Sequence, residues 1–342
     1  MRRLTIASIS YPFAPVTPDP VGGAEQVLAQ LDRALVEAGH RSIVIAPEGS
    51  RVAGALRPGP AISGTITDQA RARVHQAVRD AIADVIDRDR PDVVHMHGID
   101  FLDYLPAPGP PVMATLHLPL GWYPATALAP ERPDTWLHPV SPSQARAAPP
   151  GARLAEPIEN GVPMHAARFA RRGYAAAIGR ICPEKGLDDA LDAAARAGTS
   201  LLIAGQVFPY EAHQRHWRED ILPRLGPCRR WIGPVAGRAK QRLLGGARCV
   251  LIPSKAPETS SLVAMEALAA GTPVIAYRSG ALPDIVDHGR TGFIADDVAG
   301  RAAAIGQVGT IDPEACRRDA RERFSLTRMT EAYLRRYREL AA

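Results

Sequence analysis

The residues best able to do chemistry crowd into one segment, PSKAPETSSLVAMEALAAGTPVIAYRSGALPDIVDHGRTGF. Glu258, Thr259, Ser260 and Ser261 precede an apolar run that begins at Leu262. They read as the first turn of a helix, whose unpaired N–H groups can hold a phosphate. Glu266 follows Glu258 by eight residues, which on a helix separates them by about 12 Å along the axis at about 1.5 Å per residue. That is too far for two carboxylates flanking one scissile bond. It is about the span of a nucleotide-sugar, with one carboxylate on the sugar and the other on the ribose. With 15 glutamates in the chain, an exposed helix face produces the same spacing by accident.

A second group is Ile178-Gly179-Arg180, followed after a Cys-Pro loop by Glu184-Lys185-Gly186. A guanidinium and an ammonium five residues apart across a strand-to-helix turn can converge on a diphosphate, one as a bidentate fork and one as a point charge. The plain alternative is two solvated surface cations. Gly22-Gly23 opens a helix, where missing side chains let backbone N–H groups approach an anion, although an ordinary turn reads the same way. His95 and His97 alternate on one strand, and His97 and His117 end neighbouring strands, where open α/β sheets place ligands. Zinc would need a third ligand that no His/Asp/Glu spacing supplies. A structural role suits His95.

Alternating elements must position these groups. Leu4 to Ser10 reads as a strand, the loop Tyr11 to Gly23 follows, and Val27, Leu28, Leu31 and Leu35 then recur at helical spacing. Strands follow at Ser42–Ala46, Asp92–His97, Val112–His117 and Trp136–Ser141, with a helix carrying Val74, Val78, Ile82 and Val85. The Gly/Pro/Ala-rich segment Gly49–Gly64 reads as a loop. A second series starts with YAAAIGR and continues through a helix Leu187–Ala197, SLLIAG, a helix near Tyr210–Leu222, RRWIG, a helix near Ala239–Leu244, CVLIP, a helix Val263–Ala270 and PVIAY. This alternation predicts two doubly wound parallel sheets, in domains 1–162 and 163–325. The last stretch, Leu326–Leu340, is amphipathic and basic, with Met329, Tyr333 and Tyr337 four apart. It suits a terminal helix packed back on the first domain.

Composition narrows the function classes. At 342 residues and 46% hydrophobic, the chain is long enough for two buried cores. Only three lysines accompany 38 arginines, the net charge of +5 is scattered, and aromatics are 5%, so nucleic acid is not expected as a partner. The four cysteines lie far apart without a C-x-x-C, which argues against a disulfide framework or a zinc-thiolate site. No signal-type or membrane-spanning run stands out, so a cytoplasmic protein without stable membrane insertion is expected.

The E-x7-E with ALAAGTPVIA and SGALPDIVDHGRTGF, preceded in order by GGAE, DVVHMH, NGV and IGRICPEKG, resembles the retaining nucleotide-sugar glycosyltransferases of the GT-B fold, family 4. The resemblance runs from Gly22 to Phe293. It implies two facing Rossmann-like domains, a donor site in the second, an acceptor site in the first, a terminal helix crossing back, and no metal or other cofactor. Arg180 and Lys185 would bind the diphosphate of a UDP- or GDP-type donor. Glu266 would hold the ribose, Glu258 the transferred sugar, and the backbone amides of Ser260 to Leu262 the distal phosphate. Gly23 would line the donor side, His117 would face the transferred sugar, and Glu25 and His97 would serve the acceptor.

The family usually has glycine and an aromatic where this chain has Thr259-Ser260-Ser261, which leaves the choice of sugar open. Asp284 likewise stands where the family more often has glutamate. The acceptor expected is a small metabolite or short oligosaccharide, of the avilamycin-type oligosaccharide-antibiotic kind. A nucleotide-sugar epimerase or phosphorylase, or a non-catalytic nucleotide-sugar-binding module, is the alternative.

Overall fold

The computed structural model describes residues 2–18, 20, 22–60, 66–164 and 169–342. The chain divides into two compact units, residues 1–160 with 327–342, and residues 161–326.

In the first unit β1 (Thr5–Ile9), α1 (Gly23–Glu37), β2 (Arg41–Ala46), β3 (Ala55–Pro58), α2 (Asp68–Asp89), β4 (Val93–Met96), β5 (Val112–Leu116), β6 (Thr135–Pro139) and α3 (Pro142–Arg146) build a sheet of order β3-β2-β1-β4-β5-β6. Every pairing in it is parallel. The strands are near-continuous apolar runs because a parallel sheet is covered on both faces. Val27, Leu28, Leu31 and Leu35 bury one side of α1, and Val74, Val78, Ile82 and Val85 one side of α2. Truncating one of the buried leucines to alanine costs about 2–5 kcal/mol. The strand β3 corrects the expectation of a loop over Gly49–Gly64, whose last residues lie outside those described. Its sequence, ALRP, carries no alternation; backbone pairing from Ile43↔Ala55 to Ala46↔Pro58 places it at the sheet edge. Gly54 marks its entrance: Asp32 accepts the Gly54 and Ala53 N–H groups and the Ser42 hydroxyl, fixing the turn.

The second unit runs β7 (Tyr174–Ile178), α4 (Leu187–Arg196), β8 (Ser200–Ala204), α5 (Glu211–His216), β9 (Arg229–Trp231), α6 (Gly237–Gly246), β10 (Cys249–Ile252), α7 (Leu262–Ala269), β11 (Val274–Tyr277), α8 (Leu282–Ile285), β12 (Gly292–Ala295), α9 (Val298–Gln307) and α10 (Pro313–Arg323). Its parallel sheet has the order β12-β11-β10-β7-β8-β9. The direction of winding reverses between β7 and β10, and loops at the carboxyl ends of such a strand pair part to leave a ligand crevice. Val162 donates to the Phe324 carbonyl at 2.8 Å and accepts from Leu326 N at 2.9 Å, tying the two ends of the unit together.

The helix α11 (Leu326–Leu340) belongs almost wholly to the first unit, with Met329, Tyr333 and Tyr337 fully buried there. No helix among the described residues is long and apolar enough to cross a membrane.

Candidate functional site

The second unit places its chemistry at the β7/β10 reversal. After β7 the chain runs through Arg180 into a single 3-10 turn, Pro183–Lys185, and after β10 it runs through Pro253 and Ser254 to Glu258. The two loops are joined by backbone: Lys255 N–H and Ala256 N–H both donate to the Glu184 carbonyl, at 2.9 and 3.3 Å. Gly186 makes the approach possible. Its φ of +59° is left-handed, and a Cβ there would stand 2.2 Å from the Pro253 carbonyl oxygen. Gly280 does the same from the loop after β11, with φ +56° and a hypothetical Cβ 2.1 Å from the Glu258 carbonyl oxygen.

That carbonyl accepts the Ala281 N–H at 2.7 Å, which keeps Glu258 out of the helix. Glu258 to Ser261 are therefore the approach to α7 rather than its first turn: the helix begins at Leu262, with extended Ser261 at its N-cap. The axial separation expected for Glu258 and Glu266 does not apply, since only Glu266 is helical. Ser261 offers no side-chain cap, and the Ser260 hydroxyl is buried without a hydrogen-bond partner among the described residues. The amides of the first turn of α7 thus have no intrahelical acceptor.

Arg180 and Lys185 differ in their partners. Lys185 Nζ donates to Glu258 Oε1 at 2.5 Å, and the Ser254 hydroxyl donates to the same oxygen. A carboxylate within reach on the facing loop captures the ammonium. Arg180 is exposed; its carbonyl accepts from the Cys182 thiol at 3.6 Å, and its guanidinium makes no hydrogen bond or ion pair with the described residues. Glu266, on α7, accepts from Lys240 Nζ of α6 at 2.7 Å. Lys240 is the functional-looking residue that sequence reasoning passed over. Its rarity was a signal: all three lysines of this arginine-rich chain end on carboxylates, the third, Lys255, on Asp188 at 2.8 Å.

In the first unit Gly23 is the exposed first residue of α1, and Glu25 sits buried in its first turn. The Glu25 carboxylate folds back on the helix start, so close that a Cβ on Gly22 would lie 1.8 Å from Oε2. That is the position of a capping carboxylate at N3. His97 and His117 stand one residue beyond the adjacent strands β4 and β5, as their spacing predicts. His97 Nδ1 meets His117 Nε2 at 3.0 Å, with the rings stacked at 5.3 Å. His97 Nε2 is buried and has no hydrogen-bond partner among the described residues.

His95 is satisfied twice, through Nδ1 to the Tyr337 hydroxyl and Nε2 to Thr115 Oγ1, both at 2.7 Å. Thr115 Oγ1 also meets His138 Nε2 at 2.7 Å, and His138 Nδ1 meets the Pro139 carbonyl at 3.2 Å. A carbonyl only accepts, so in neutral His138 the proton is on Nδ1 and Nε2 accepts. Thr115 must then donate to His138 and accept from His95 Nε2–H. Tyr337 consequently donates its hydroxyl proton to His95 Nδ1. One backbone carbonyl thereby fixes the tautomers of two histidines and the direction of the whole chain. Burial holds all four imidazoles neutral: His117 and His138 are pushed down to about 3, and His95 and His97 well below the usual range.

Residues 21–148 match the model of the Glycosyltransferase Family 4 domain, and residues 172–310 that of the Glycosyl transferases group 1 domain. The glycogen synthase of Mycobacterium tuberculosis is 29% identical over 379 aligned residues, covering 93% of this chain and 89% of the relative. Among solved structures, AviGT4, a glycosyltransferase involved in avilamycin A biosynthesis, is 24% identical with a TM-score of 0.70, over 99% of this chain and 98% of that one. Anabaena HepE in complex with UDP-glucose is 15% identical with a TM-score of 0.75, over 98% and 100%. The structural likenesses carry the fold: two parallel six-stranded α/β units of the GT-B type.

Proposed function

Taking as premise that this chain is a GT-B glycosyltransferase carrying family 4 and group 1 domains, we propose that it transfers a sugar from a nucleoside diphosphate donor to a hydroxyl with retention of anomeric configuration. The observation that carries this reading is the Lys185–Glu258 pair, which joins the loops after β7 and β10 at the sheet's winding reversal, with unpaired Arg180 beside it. Arg180 grips the donor diphosphate, and Lys185 exchanges its carboxylate partner for a phosphate oxygen. The amides of Ser260 to Leu262 hold the distal phosphate. Glu266, oriented by Lys240, accepts the ribose hydroxyls, and Glu258, released, accepts from the sugar. His117, held as a neutral imidazole, offers the sugar a hydrogen bond. Gly23 keeps the donor side open, while Glu25 and His97 serve the acceptor hydroxyl.

As the bond from the anomeric carbon to the phosphate oxygen breaks, its electron pair leaves with the diphosphate, and the acceptor oxygen bonds on the same face. The acceptor's proton passes to the departing phosphate oxygen. Fixed cations aimed at that growing charge supply the stabilisation that elsewhere comes from a bound metal. The chain does carry one Asp-x-Asp triplet, Asp87-Arg88-Asp89, at the end of α2 in the first unit, where Asp89 pairs with Arg41 and Arg57. The acceptor is a small metabolite or short oligosaccharide, of the kind implied by the avilamycin enzyme among the neighbours, and the donor is of the UDP type bound by HepE.

The test is release of nucleoside diphosphate from UDP- and GDP-sugars with and without acceptors, in chelator, with product configuration read by NMR. Acceptor-dependent release with retained configuration is expected. Equal release without acceptor, inversion, or activity lost to chelator and restored by manganese would overturn the corresponding part. Binding without turnover would leave a nucleotide-sugar-binding module.

A further inference from the structure

Among the described residues one side-chain cluster has the composition of a transition-metal site, and the transfer chemistry makes no use of it. Cys182, Glu184 and His213 bring one thiol sulfur, one carboxylate oxygen and one imidazole nitrogen to within 4.8 Å of each other. Cys182 precedes the 3-10 turn that carries Glu184, and His213 comes from α5. Cys182 is fully buried and His213 is 7% exposed, while Glu184 is exposed and its carboxylate accepts a hydrogen bond from the Cys182 thiol. His213 Nδ1 is buried and finds no hydrogen-bond partner among the described residues. A buried imidazole nitrogen left unmatched is unusual, because each such group loses its water without compensation. The ring packs edge-on against Tyr210 and Phe208, at 5.1 and 6.3 Å.

We propose that these three residues bind a zinc ion, with the fourth coordination position open to water. The donor set decides the metal: a thiolate with an imidazole selects a borderline-soft cation over magnesium or calcium, which prefer all-oxygen shells. Tetrahedral zinc with bonds of about 2.0–2.3 Å places its ligand atoms about 3.3–3.8 Å apart. Contraction by roughly one ångström from the 4.8 Å limit closes the site. Binding exchanges the Cys182 thiol proton for zinc, and the proton leaves to solvent. The three residues belong to the second unit, and Cys182 and Glu184 lie in the loop between Arg180 and Lys185, so the test reads metal binding directly and its outcome does not depend on turnover.

Chelator-stripped full-length protein is titrated with cobalt, read by absorbance, and with zinc in competition with a chromophoric chelator. The expected result is one equivalent bound, with a thiolate-to-cobalt charge-transfer band. Cys182→Ser should remove the band, and His213→Asn and Glu184→Gln should each weaken zinc by at least about tenfold, the lower bound seen even for residues behind the ligands. Cys228→Ser, which removes the exposed cysteine, should change neither. Glu184→Gln alters an exposed side chain, so it reports on binding even if a core variant folds poorly. Absence of a one-to-one equivalent, a band that survives Cys182→Ser, or a band lost in Cys228→Ser would overturn the proposal.

Discussion

The carboxyl-terminal strand ends of the two units meet opposite electrostatic problems. In the first unit four histidines, a threonine and two tyrosines gather around β4, β5 and β6, and His95, Thr115 and His138 are linked through neutral partners, while His97 Nε2, alone of these imidazole nitrogens, is buried without one among the described residues. In the second unit the corresponding loops and the helices after them carry full charges, neutralised in pairs: Lys185 with Glu258 between loops and Lys240 of α6 with Glu266 of α7. A neutral network can be buried completely, whereas a charged pair must keep some access to water or suffer desolvation. The second unit therefore leaves its pairs half-buried, with Arg180 exposed alongside. At these strand ends, among the described residues, the second unit offers an anion paired cations to exchange with. The difference assigns rigidity to one region and ligand exchange to the other.

Acid should separate the regions most strongly. An imidazole kept neutral in the folded unit but free to protonate near 6.5 when unfolded binds more protons unfolded than folded. Stability is thus full above about pH 6.5 and falls as pH drops toward 3, by about 1.4 kcal/mol per pH unit for each such histidine. With His117 and His138 both held down to about 3, the first unit should lose several kcal/mol between pH 6 and 4. Denaturant melts at stepped pH, with fluorescence and hydrogen exchange resolving the two units, would show this. A first unit that melts no earlier at pH 4.5 than at pH 7 would remove the neutral network from the comparison.

Next in size is the leaving group. If Arg180 and Lys185 stabilise charge that grows as the donor bond breaks, replacing either with alanine should lower kcat by about 10²–10³ with a smaller change in donor KM. The two differ in stability. Arg180→Ala touches no partner and should stay within about 0.5 kcal/mol of the parent. Lys185→Ala strips a half-buried carboxylate of its cation and should cost about 1–3 kcal/mol. Near-parental turnover in both variants would leave the Lys185–Glu258 pair as scaffolding. Glu266→Ala should come third, weakening bare nucleoside diphosphate by about 1.5–3 kcal/mol in calorimetry, the worth of a charge-assisted hydrogen bond. Unchanged affinity would take the ribose from Glu266.

What the sequence disclosed follows the same division. Apolar runs and helical spacing placed the strands and the long helices because each is a local pattern. The edge strand β3 escaped, since its only support is backbone pairing with β2. The candidate residues Glu258, Lys185 and Glu266 were visible by type and spacing, and Met329, Tyr333 and Tyr337 as a buried stripe. Their partners were not visible, because Lys185 to Glu258 spans 73 residues and Lys240 to Glu266 spans 26, across loops whose closure depends on Gly186 and Gly280. The start of α7 was misplaced for a similar reason: the competitor for the Glu258 carbonyl is Ala281, which no local signal connects to it.

The smallest effect tests the tautomer chain itself. Tyr337→Phe removes one buried hydroxyl, the donor to His95 Nδ1, and changes shape by a single atom. If the chain runs from the Pro139 carbonyl as its hydrogen bonds require, His95 Nδ1 is an acceptor and loses its only partner. An unmatched buried acceptor should cost about 1–3 kcal/mol. Tyr333→Phe removes a hydroxyl from Thr115 at a longer 3.3 Å, where Thr115 already serves two histidines, and should cost less. The nitrogen shifts of His95 and His138, read by NMR, give the tautomers directly: protonated Nε2 in His95 and protonated Nδ1 in His138. The reverse pattern, or equal costs for the two tyrosines, would mean that the direction of the chain is set by something other than the Pro139 carbonyl.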